Sequence, residues 1–528
     1  MCGICGLLSL DGRSPVDRDA LEAMSAALAH RGPDSHGRHV DGPVGIAARR
    51  LSIIDLPGGD QPVASEDGGV HLVQNGEIYN YRELRRRLED AGHRFASRGD
   101  TEVLVHLYEE RGPRFVDDLR GMFAIALWDG RRGRLVLARD RFGIKPLFYA
   151  FAGERMAFAS ELKALMALPD LPREVDPDAV QAFLAFNSIP APHTIFRHAR
   201  KLGAGQLLVW EGGESSIERY CRPAPVDAGD VRDGTTAQLA EELRSRLRDS
   251  VRAHLVSDVP VGVLLSGGID SSLLAALAAQ ESGEPLRTFS IGFEERSFNE
   301  LQRARQVARR YGTDHHELIL RPDAATLLPR LADVFDEPFA DSSALPTYLV
   351  CELAARDVKV VLSGEGGDEM FGGYYTYVAD LLAGRLDGAA TRLLPLAERL
   401  PSSSRKASLD YRAKRFARGA ALPPLERHHA WKEIFSARQR ADLLLSERQV
   451  GRDPTDLLRH RYAETAGAEP LARLQDVDLG IYLVDDLLVK TDRASMAHSL
   501  EARVPFLDPV VAELALALPT RLKVRGLS

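Results

Sequence analysis

The sequence lacks several features that mark particular classes of protein. Its 528 residues contain four cysteines, too few for a disulfide framework, so a reducing compartment fits best. No uninterrupted run of about 18 apolar residues occurs, which argues against a membrane-spanning helix. No cluster of Lys or Arg precedes the short apolar stretch at residues 4–10, so a secretory signal is not expected. These absences predict a cytoplasmic protein with no membrane partner.

An excess of positive charge is also missing. The formal net charge is -8 and the sequence pI is about 6.1, which argues against a broad basic surface and hence against a nucleic-acid partner. Hydrophobic residues make up 45% and charged residues 27%, the balance of an ordinary globular protein. The length predicts two or three domains.

The hydrophobic pattern changes twice along the chain. Residues 16–30 carry apolar side chains at helical spacing, and short β-rich runs separated by Gly, Asn and Pro follow, with a helix near residues 82–91. Residues 2–210 are therefore predicted to form an antiparallel-rich domain with a few helices. Residues 211–235 are polar and rich in Gly and Pro, as in a linker. Strands and helices then alternate, which predicts a doubly wound parallel sheet in residues 236–528, with a mainly helical final part.

A glycine-rich loop follows the apolar run "VPVGVLL" and precedes a helical pattern. The loop is "SGGIDSS", residues 266–272. A helix N-terminus presents free N–H groups and a positive dipole end, and glycines allow an anion to approach. A tight turn with a Ser or Asp N-cap would give the same pattern. Because the loop lacks the lysine of a Walker A site, a reaction other than γ-phosphate transfer is indicated.

A second loop of the same design follows the run "VKVVL". It is "SGEGGDEM", with Glu365, Asp368 and Glu369 close together. Carboxylates beside a phosphate loop suit Mg²⁺, which takes oxygen ligands, although a solvated acidic turn is the alternative. Asp270 and Asp368 both lie at the carboxyl ends of predicted parallel strands, where α/β sheets bind ligands. The pattern therefore favours a shared metal.

The first residues, "MCGICG", contain a different kind of candidate. A CxxC metal site would need a second pair, and Cys221 and Cys351 lie in unrelated surroundings. A redox CxxC would need a preceding βαβ pattern. Removal of Met1 would give Cys2 a free α-amine with an ordinary pKa of about 7.7 to 8.0. Cys2 would then be a nucleophile that carries its own base. Asn75-Gly76, by itself, indicates only a hairpin.

Taken in order, the motifs resemble the asparagine synthetase B family and related amidotransferases over nearly the whole chain. The segments "HRGPDSHG", "RLSIIDLPGGDQP", "NGEIYN" and "ARDRFGIKPLFY" are similar to a class II glutamine amidotransferase domain. The segments "LLSGGIDSS", "DEPFADSSALPTY" and "KTDRASMAHSLEARVPFLD" are similar to an ATP-pyrophosphatase domain. The resemblance implies an α/β protein: an Ntn-hydrolase-type αββα sandwich, then a doubly wound α/β domain with added helices.

The resemblance also implies roles for particular residues. Cys2 would attack the glutamine amide, with Asn75 and the Gly76 N–H as the oxyanion hole. The implied glutamine-binding residues are Arg50, Leu51, Ser52, Ile53, Ile54, Glu77 and Asp100. The implied ATP-binding residues are Leu264, Ser266, Gly267, Gly268, Asp270, Ser271, Ser272, Ile291, Ser363 and Gly364. Asp270 and Asp368 would hold Mg²⁺, and Glu365 would assist formation or amination of an acyl-adenylate.

The implied activity is the ATP-dependent amidation of aspartate with glutamine as nitrogen donor. The product would be asparagine, with AMP, pyrophosphate and glutamate, and ammonia would travel internally between the sites. Relatives that amidate a peptide, a natural product or a cell-surface sugar are an alternative, as is a regulatory or scaffold protein with an inactive synthetase half. A homodimer is the family expectation.

One departure from the family pattern is found at the C-terminus. The family continues past "LKVRG" to a lysine before a Gly-Phe pair, whereas this sequence ends at Ser528. We expect either a C-terminal truncation or a chain without that group, with Lys490 or Arg493 as candidate replacements.

Overall fold

A computed structural model describes residues 2–294, 299–320, 324–386, 409–444, 451 and 453–526. The first half contains two six-stranded antiparallel sheets, ordered β10-β8-β9-β1-β3-β2 and β12-β11-β7-β6-β5-β4. The strands are β1 (Cys2–Ser9), β2 (Ser35–Asp41), β3 (Val44–Arg50), β4 (Val63–Ala64), β5 (Val70–Ile78), β6 (Gly121–Asp129), β7 (Arg134–Arg139), β8 (Phe148–Ala152), β9 (Arg155–Ala159), β10 (Ala199–Lys201), β11 (Gln206–Glu211) and β12 (Glu214–Arg219).

Helices cover the outer face of each sheet. They are α1 (Arg18–Ala26), α2 (Tyr81–Asp90), α3 (Glu102–Arg111), α4 (Leu162–Met166) and α5 (Pro177–Phe186), with a 3-10 helix at Gly112–Asp118. Ile4, Val73 and Leu137 fill the layer between the sheets. Helices α1, α4 and α5 pack on the sheet that contains β1, and α2 and α3 pack on the sheet that contains β5. The predicted αββα arrangement is confirmed.

The apolar run "GMFAIALWD" illustrates why the strands have their composition. It forms β6, which is central in its sheet and buried along nearly its whole length. A strand with a layer on each face has no solvent side, so polar residues do not alternate with apolar ones.

The segment predicted as a linker begins within the first domain. Residues 214–219 form β12, which pairs with β11 at the edge of the sheet. Every residue of β12 is exposed, which explains why its polar composition resembles that of a linker.

The second half is built on one parallel sheet, ordered β15-β14-β13-β16-β17. Its strands are β13 (Val261–Leu264), β14 (Arg287–Phe293), β15 (Asp314–Leu320), β16 (Val360–Leu362) and β17 (Glu501–Arg503). Leu247, Leu274 and Ala304 pack on one face, and Val350 and Cys351 pack on the other. Helices on both faces confirm the predicted doubly wound class.

The helices of this half surround and extend the sheet. They are α6 (Thr236–His254), α7 (Ile269–Glu281), α8 (Leu301–Tyr311), α9 (Ala324–Phe335), α10 (Ala344–Ala354), α11 (Gly367–Phe371) and α12 (Tyr375–Leu386), followed by helices at Leu409–Gly419, Pro424–Ala430, Ala437–Leu443, Asp456–Glu464, Pro470–Val477, Leu488–Met496, Pro509–Ala517 and Thr520–Lys523, a π-helix at Asp478–Leu487 and a 3-10 helix at Pro505–Leu507. Among the described residues, no helix is both long and apolar enough to cross a membrane.

The strand order determines where a ligand can bind. From β13 the chain proceeds to β14 and β15 on one side, and later to β16 and β17 on the other. The carboxyl ends of β13 and β16 therefore flank the point where the winding reverses, which is the usual ligand crevice of such sheets. Both loops singled out in the sequence follow these two strands.

Candidate active sites

Cys2 starts β1, and its backbone contacts residues of both sheets of the first domain. It lies opposite Arg50 of β3 in the strand register. Its backbone N–H donates to Asn75 Oδ1 at 3.1 Å, and its carbonyl accepts from Arg31 Nε at 3.3 Å. The residue is 5% exposed, and burial raises the pKa of the Cys2 thiol. A base close to the sulfur would therefore be needed to form the thiolate.

Only one of the two polar side-chain atoms of Asn75 forms a hydrogen bond with the described residues. Its Oδ1 accepts from the Cys2 N–H, whereas Nδ2 is buried and has no hydrogen-bond partner among the described residues. A buried N–H without a partner is costly unless a ligand satisfies it. The geometry therefore suits a donor reserved for an oxyanion.

Gly76 follows with a backbone that other residues rarely adopt. Its φ is +147°, and a Cβ built on it would lie 1.9 Å from the Met122 carbonyl oxygen. Only glycine allows β5 and β6 to approach this closely at the predicted oxyanion site.

A small cavity beside Cys2 brings together most of the predicted glutamine-binding residues. Arg50, Leu51, Ile53, Ile54, Gly76, Glu77 and Asp100 line it together with Cys2. Ser52 does not line the cavity, and its backbone N–H instead donates to Asp34 Oδ2 at 2.8 Å. Asn75 is not among the residues that line the cavity.

Arg50 is held by the loop that follows it. Its Nη2 donates to the carbonyls of Ile54 and Asp55 at 3.0 and 2.8 Å, and its Nη1 donates to the carbonyl of Leu56 at 3.1 Å. Among the described residues, only Asp60 pairs with it by charge, at 3.2 Å, and that carboxylate is largely exposed. These bonds fix the guanidinium beside the cavity, where a ligand carboxylate would compete with the exposed Asp60 for it.

Glu77 and Asp100, the two predicted carboxylates of this cavity, both have raised pKa values. Burial, Glu501 and Asp100 raise the pKa of Glu77 well above its ordinary value, despite Arg503 Nη2 at 3.4 Å. Burial also raises the pKa of Asp100, although its Oδ2 accepts from the Ile78 N–H at 2.8 Å. The positive charge of a ligand ammonium would lower both pKa values.

The structure adds Gln61 to the sequence-based set. Its Nε2 lies 3.7 Å from Cys2 Sγ, and its Oε1 accepts from the Gln74 N–H at 2.7 Å. Gln61 is the single glutamine of "RLSIIDLPGGDQP", and nothing in that segment indicates that the loop places it beside Cys2.

A larger cavity, of about 860 Å³, opens at the reversal point of the parallel sheet. The predicted residues that line it are Leu264, Ser266, Gly268, Asp270, Ser271, Ile291, Ser363, Gly364, Glu365 and Asp368. Gly267 and Ser272 do not line it. Gly267 instead shapes the loop, because its φ is +79° and a Cβ would lie 2.8 Å from the Ala304 nitrogen.

Hydroxyl groups brace the loop between β13 and α7. The hydroxyls of Ser266 and Ser271 are 2.9 Å apart, and the Gly268 N–H donates to Ser266 Oγ at 3.2 Å. A preformed loop at a helix N-terminus can accept a phosphate without much loss of chain entropy.

The two loops meet at Asp270. A Cβ on Gly367 would lie 2.5 Å from Asp270 Cγ, so the carboxylate packs against the second loop. Burial and the carboxylates of Asp368 and Glu365 raise the pKa of Asp270 to about 6, and burial with Glu365 raises that of Asp368. None of the described residues forms an ion pair with Asp270 or Asp368. This all-oxygen, uncompensated donor set fits a Mg²⁺ ion.

Beyond these carboxylates lies a polar cluster from "DEPFADSSALPTY" and "VKTDRAS". Glu365 Oε1 accepts from Thr491 Oγ1 at 3.1 Å. Lys490 Nζ donates to Asp341 Oδ2 at 3.1 Å and to Ser343 Oγ at 2.9 Å. Thr491, the neighbour of Lys490, lines the large cavity, whereas Lys490 itself does not.

Arg493, the other candidate cation, lies elsewhere. Its Nη1 is 2.8 Å from Glu161 and 3.2 Å from Asp336, and the side chain is buried against the first domain. A different cation, Lys523, lines the large cavity. Burial lowers the pKa of Lys523 to about 8, and its Nζ donates to Gln475 Oε1 at 3.2 Å.

Each half of the chain matches the model of a known family. The family described as "Glutamine amidotransferase domain" matches residues 1–221, and "Asparagine synthase" matches residues 242–528. The chain belongs to the asparagine synthase family. The match to both domains confirms that it is an enzyme of the glutamine-hydrolysing asparagine synthetase class.

Individual proteins are similar to this chain over nearly its whole length. Asparagine synthetase [glutamine-hydrolyzing] 1 of Bacillus subtilis is 36% identical over 99% of this chain and 82% of its own. Asparagine synthetase [glutamine-hydrolyzing] 3 of the same organism is 32% identical, with the same coverage. Amidase chry2 of Gibberella zeae is also 32% identical, over 99% of this chain and 84% of its own.

Proposed function

We propose that this synthase-family enzyme transfers the amide nitrogen of glutamine to the β-carboxylate of aspartate. The observation that carries the proposal is the presence, in one chain, of the Cys2 cavity and of the carboxylate-lined cavity at the sheet reversal point. Each cavity suits one half of such a reaction. Intact Cys2, Asp270 and Asp368 favour an active enzyme over a scaffold protein.

In the first cavity, Cys2 attacks the glutamine side-chain amide. After removal of Met1, its own α-amine accepts the thiol proton and then donates it to the departing ammonia. Asn75 Nδ2 and the Gly76 N–H stabilise the oxyanion. Arg50 binds the α-carboxylate, and Glu77 and Asp100 bind the α-ammonium. Water then hydrolyses the thioester to glutamate.

In the second cavity, the carboxylate oxygen of aspartate attacks the α-phosphorus of ATP and pyrophosphate leaves. The loop at Ser266–Ser271 contacts the β- and γ-phosphates. Mg²⁺, held by Asp270 and Asp368, would neutralise charge on the pyrophosphate. Ammonia then attacks the β-aspartyl-AMP carbonyl, AMP leaves, and Glu365 accepts the proton that the nitrogen loses.

A second candidate function differs from the first in the carboxylate that accepts the nitrogen. The name of Amidase chry2 does not mention asparagine, and that protein matches this chain over the same share as the asparagine synthetases. A different carboxylate as acceptor is therefore the alternative function. The Lys490, Asp341 and Ser343 cluster would bind the acceptor in either case.

Mass spectrometry of reactions with ATP, Mg²⁺ and glutamine tests the proposal. Asparagine should form with aspartate present, in equal amounts to AMP and pyrophosphate. The variant Cys2→Ala should release no glutamate yet still form asparagine from added ammonia, since the two reactions use separate cavities. AMP formation with other carboxylates and none with aspartate would favour the alternative. A cytoplasmic location and a homodimer remain predictions, and light scattering tests the latter.

A further inference from the structure

Four metal-ligating side chains of the first domain converge outside the lining of both cavities. Glu66 lies in the turn between β4 and β5, His93 follows α2, and His106 and Glu109 lie one turn apart on α3. One donor atom of each lies within 4.8 Å of the others. We call these four residues the His-Glu cluster.

The four imidazole-to-carboxylate distances within the His-Glu cluster, to either oxygen of Glu66 and to Oε2 of Glu109, are close to the ligand separations around a tetrahedral ion. His93 Nδ1 lies 3.4 Å from Glu66 and 3.9 Å from Glu109, and His106 Nδ1 lies 3.2 and 3.5 Å from the same two carboxylates. Four ligands about 2.0 to 2.2 Å from a zinc ion are separated by about 3.3 to 3.6 Å. Only small side-chain adjustments would complete the coordination.

His106 supplies a second observation that points to a ligand at this cluster. The residue is 0% exposed, yet neither ring nitrogen forms a hydrogen bond of ordinary geometry with the described residues, and neither does Glu109 Oε2. Buried polar atoms of this kind normally have a partner. A bound cation and the groups around it would give all three atoms a partner.

The second nitrogen of each histidine faces a further carboxylate. His93 Nε2 lies 3.7 Å from Glu110, and His106 Nε2 lies 3.7 Å from Glu102. Metal-bound histidines usually direct their other nitrogen at a carboxylate, which sets the tautomer. Glu66 is further fixed by the Arg94 N–H, which donates to its Oε1 at 2.9 Å.

Charge also favours a cation at this point. Three carboxylates, those of Glu66, Glu109 and Glu102, lie 3.2, 3.5 and 3.7 Å from the ring nitrogens of His106. Arg131 is the nearby competing cation, with Nη2 2.7 Å from Glu109 and Nη1 3.2 Å from Asp67. Glu66 is exposed, so an ion can reach the cluster from solvent.

We propose that the His-Glu cluster binds one divalent transition-metal ion of the zinc type. The ion would join the β4–β5 turn, the segment after α2 and helix α3. Glu102, beside His106, accepts from the N–H groups of Ala96 and Ser97 at 2.7 and 2.6 Å. The site therefore braces the segment that leads to Asp100, and its role is structural.

The test uses the full chain with Cys2→Ala, which removes a competing thiol, without an affinity tag and after treatment with a chelator. Zn²⁺ is titrated against a chromophoric chelator in excess Mg²⁺, which occupies the carboxylates of the second cavity. We expect one Zn²⁺ per chain, two imidazole ligands by X-ray absorption, and a melting temperature that rises with Zn²⁺.

Three variants and a control locate the site. His93→Gln and Glu109→Gln should each weaken Zn²⁺ binding at least about tenfold. Arg131→Gln removes the competing cation and should leave binding unchanged or tighter. The control His198→Gln alters a histidine that faces a single carboxylate, Glu174, at 3.6 Å, and should change nothing. Circular dichroism identifies any variant that fails to fold.

Two results would overturn the proposal. One is the absence of Zn²⁺ binding by the folded parent chain. The other is equal stoichiometry and affinity in the parent, His93→Gln and Glu109→Gln, which would place the ion elsewhere. Either result would leave His106 as a buried cation within a group of carboxylates.

Discussion

Arg31 donates hydrogen bonds from its two terminal nitrogens to the two carboxylate oxygens of Asp492, at 2.9 and 3.1 Å. Its Nη1 also donates to Glu161 at 2.7 Å, and its Nε donates to the carbonyl of Cys2. One buried guanidinium thus joins the residue proposed as nucleophile to a helix of the second domain. A movement of either domain would be transmitted to Cys2 through this side chain.

The first prediction concerns that link. Asp492→Asn removes the charge opposite Arg31 while Glu161 remains, so we expect a loss of about 2 kcal/mol in the free energy of unfolding. Glutamate release should also exceed AMP formation, because the cavities are less firmly joined. Denaturant unfolding measures the loss of stability, and the glutamate-to-AMP ratio measures the loss of coupling.

The control is Arg38→Gln, which breaks only an exposed pair with Glu22 and should cost about 0.5 kcal/mol or less. An unchanged ratio in Asp492→Asn would contradict the coupling.

The second prediction concerns Gly76. A methyl group there would collide with the Met122 carbonyl, so Gly76→Ala should displace β5 from β6 and reduce glutamine hydrolysis at least about 100-fold. The control is Gly42→Ala, at another positive φ but with no atom within 4 Å of the added Cβ. That variant should cost about 1 kcal/mol and retain glutaminase activity. Steady-state glutamate release compares the two, and similar activities would show that the oxyanion site tolerates displacement.

The third prediction separates stability from activity at Asp270. The folded-state pKa of this group is raised to about 6, so its ionisation opposes folding. Asp270→Asn should stabilise the metal-free chain by about 1 kcal/mol above pH 6, after allowance for solvent screening. The gain should vanish as the pH falls below about 4, where the carboxyl is protonated in both states.

The same variant should lose ATP cleavage to AMP and pyrophosphate while glutamine hydrolysis continues. Thermal unfolding in chelator between pH 4 and pH 8 gives the stability, and pyrophosphate release gives the activity. Asp230→Asn, at an exposed position, serves as the control and should change neither. A variant that is less stable at pH 8 would disprove the electrostatic argument.

The fourth prediction concerns Lys523. Because its pKa is about 8, the side chain is mostly charged at pH 7 and can attract the ATP phosphates that we place in the large cavity. Lys523→Met should lower kcat/KM for ATP about tenfold at pH 7. The difference from the parent should shrink above pH 8, where the lysine loses its proton. Arg521→Met, on the exposed side of the same short helix, should have no effect. A pH-independent difference would indicate a purely structural role.

The sequence by itself determined the local elements and the class of the fold. Glycine and serine after an apolar strand predict a loop at a helix N-terminus, because those backbone preferences depend only on neighbouring residues. The apolar periodicities likewise predicted two kinds of domain, and the structure confirms the fold class. The residues named for the two cavities lie in short motifs whose grouping was implied by the family resemblance, and the structure brings most of them together.

The tertiary structure alone decided which distant side chains meet. Gln61 reaches Cys2, Lys523 reaches the ATP cavity proposed here, and Arg31 pairs with Asp492 far along the chain. Arg493, a candidate for the second cavity by its place in the sequence, is instead held by Glu161 and Asp336. Such pairings depend on how sheets and helices pack, and no short stretch of sequence encodes that packing. For the same reason the four members of the His-Glu cluster carry no common motif and become recognisable only after folding.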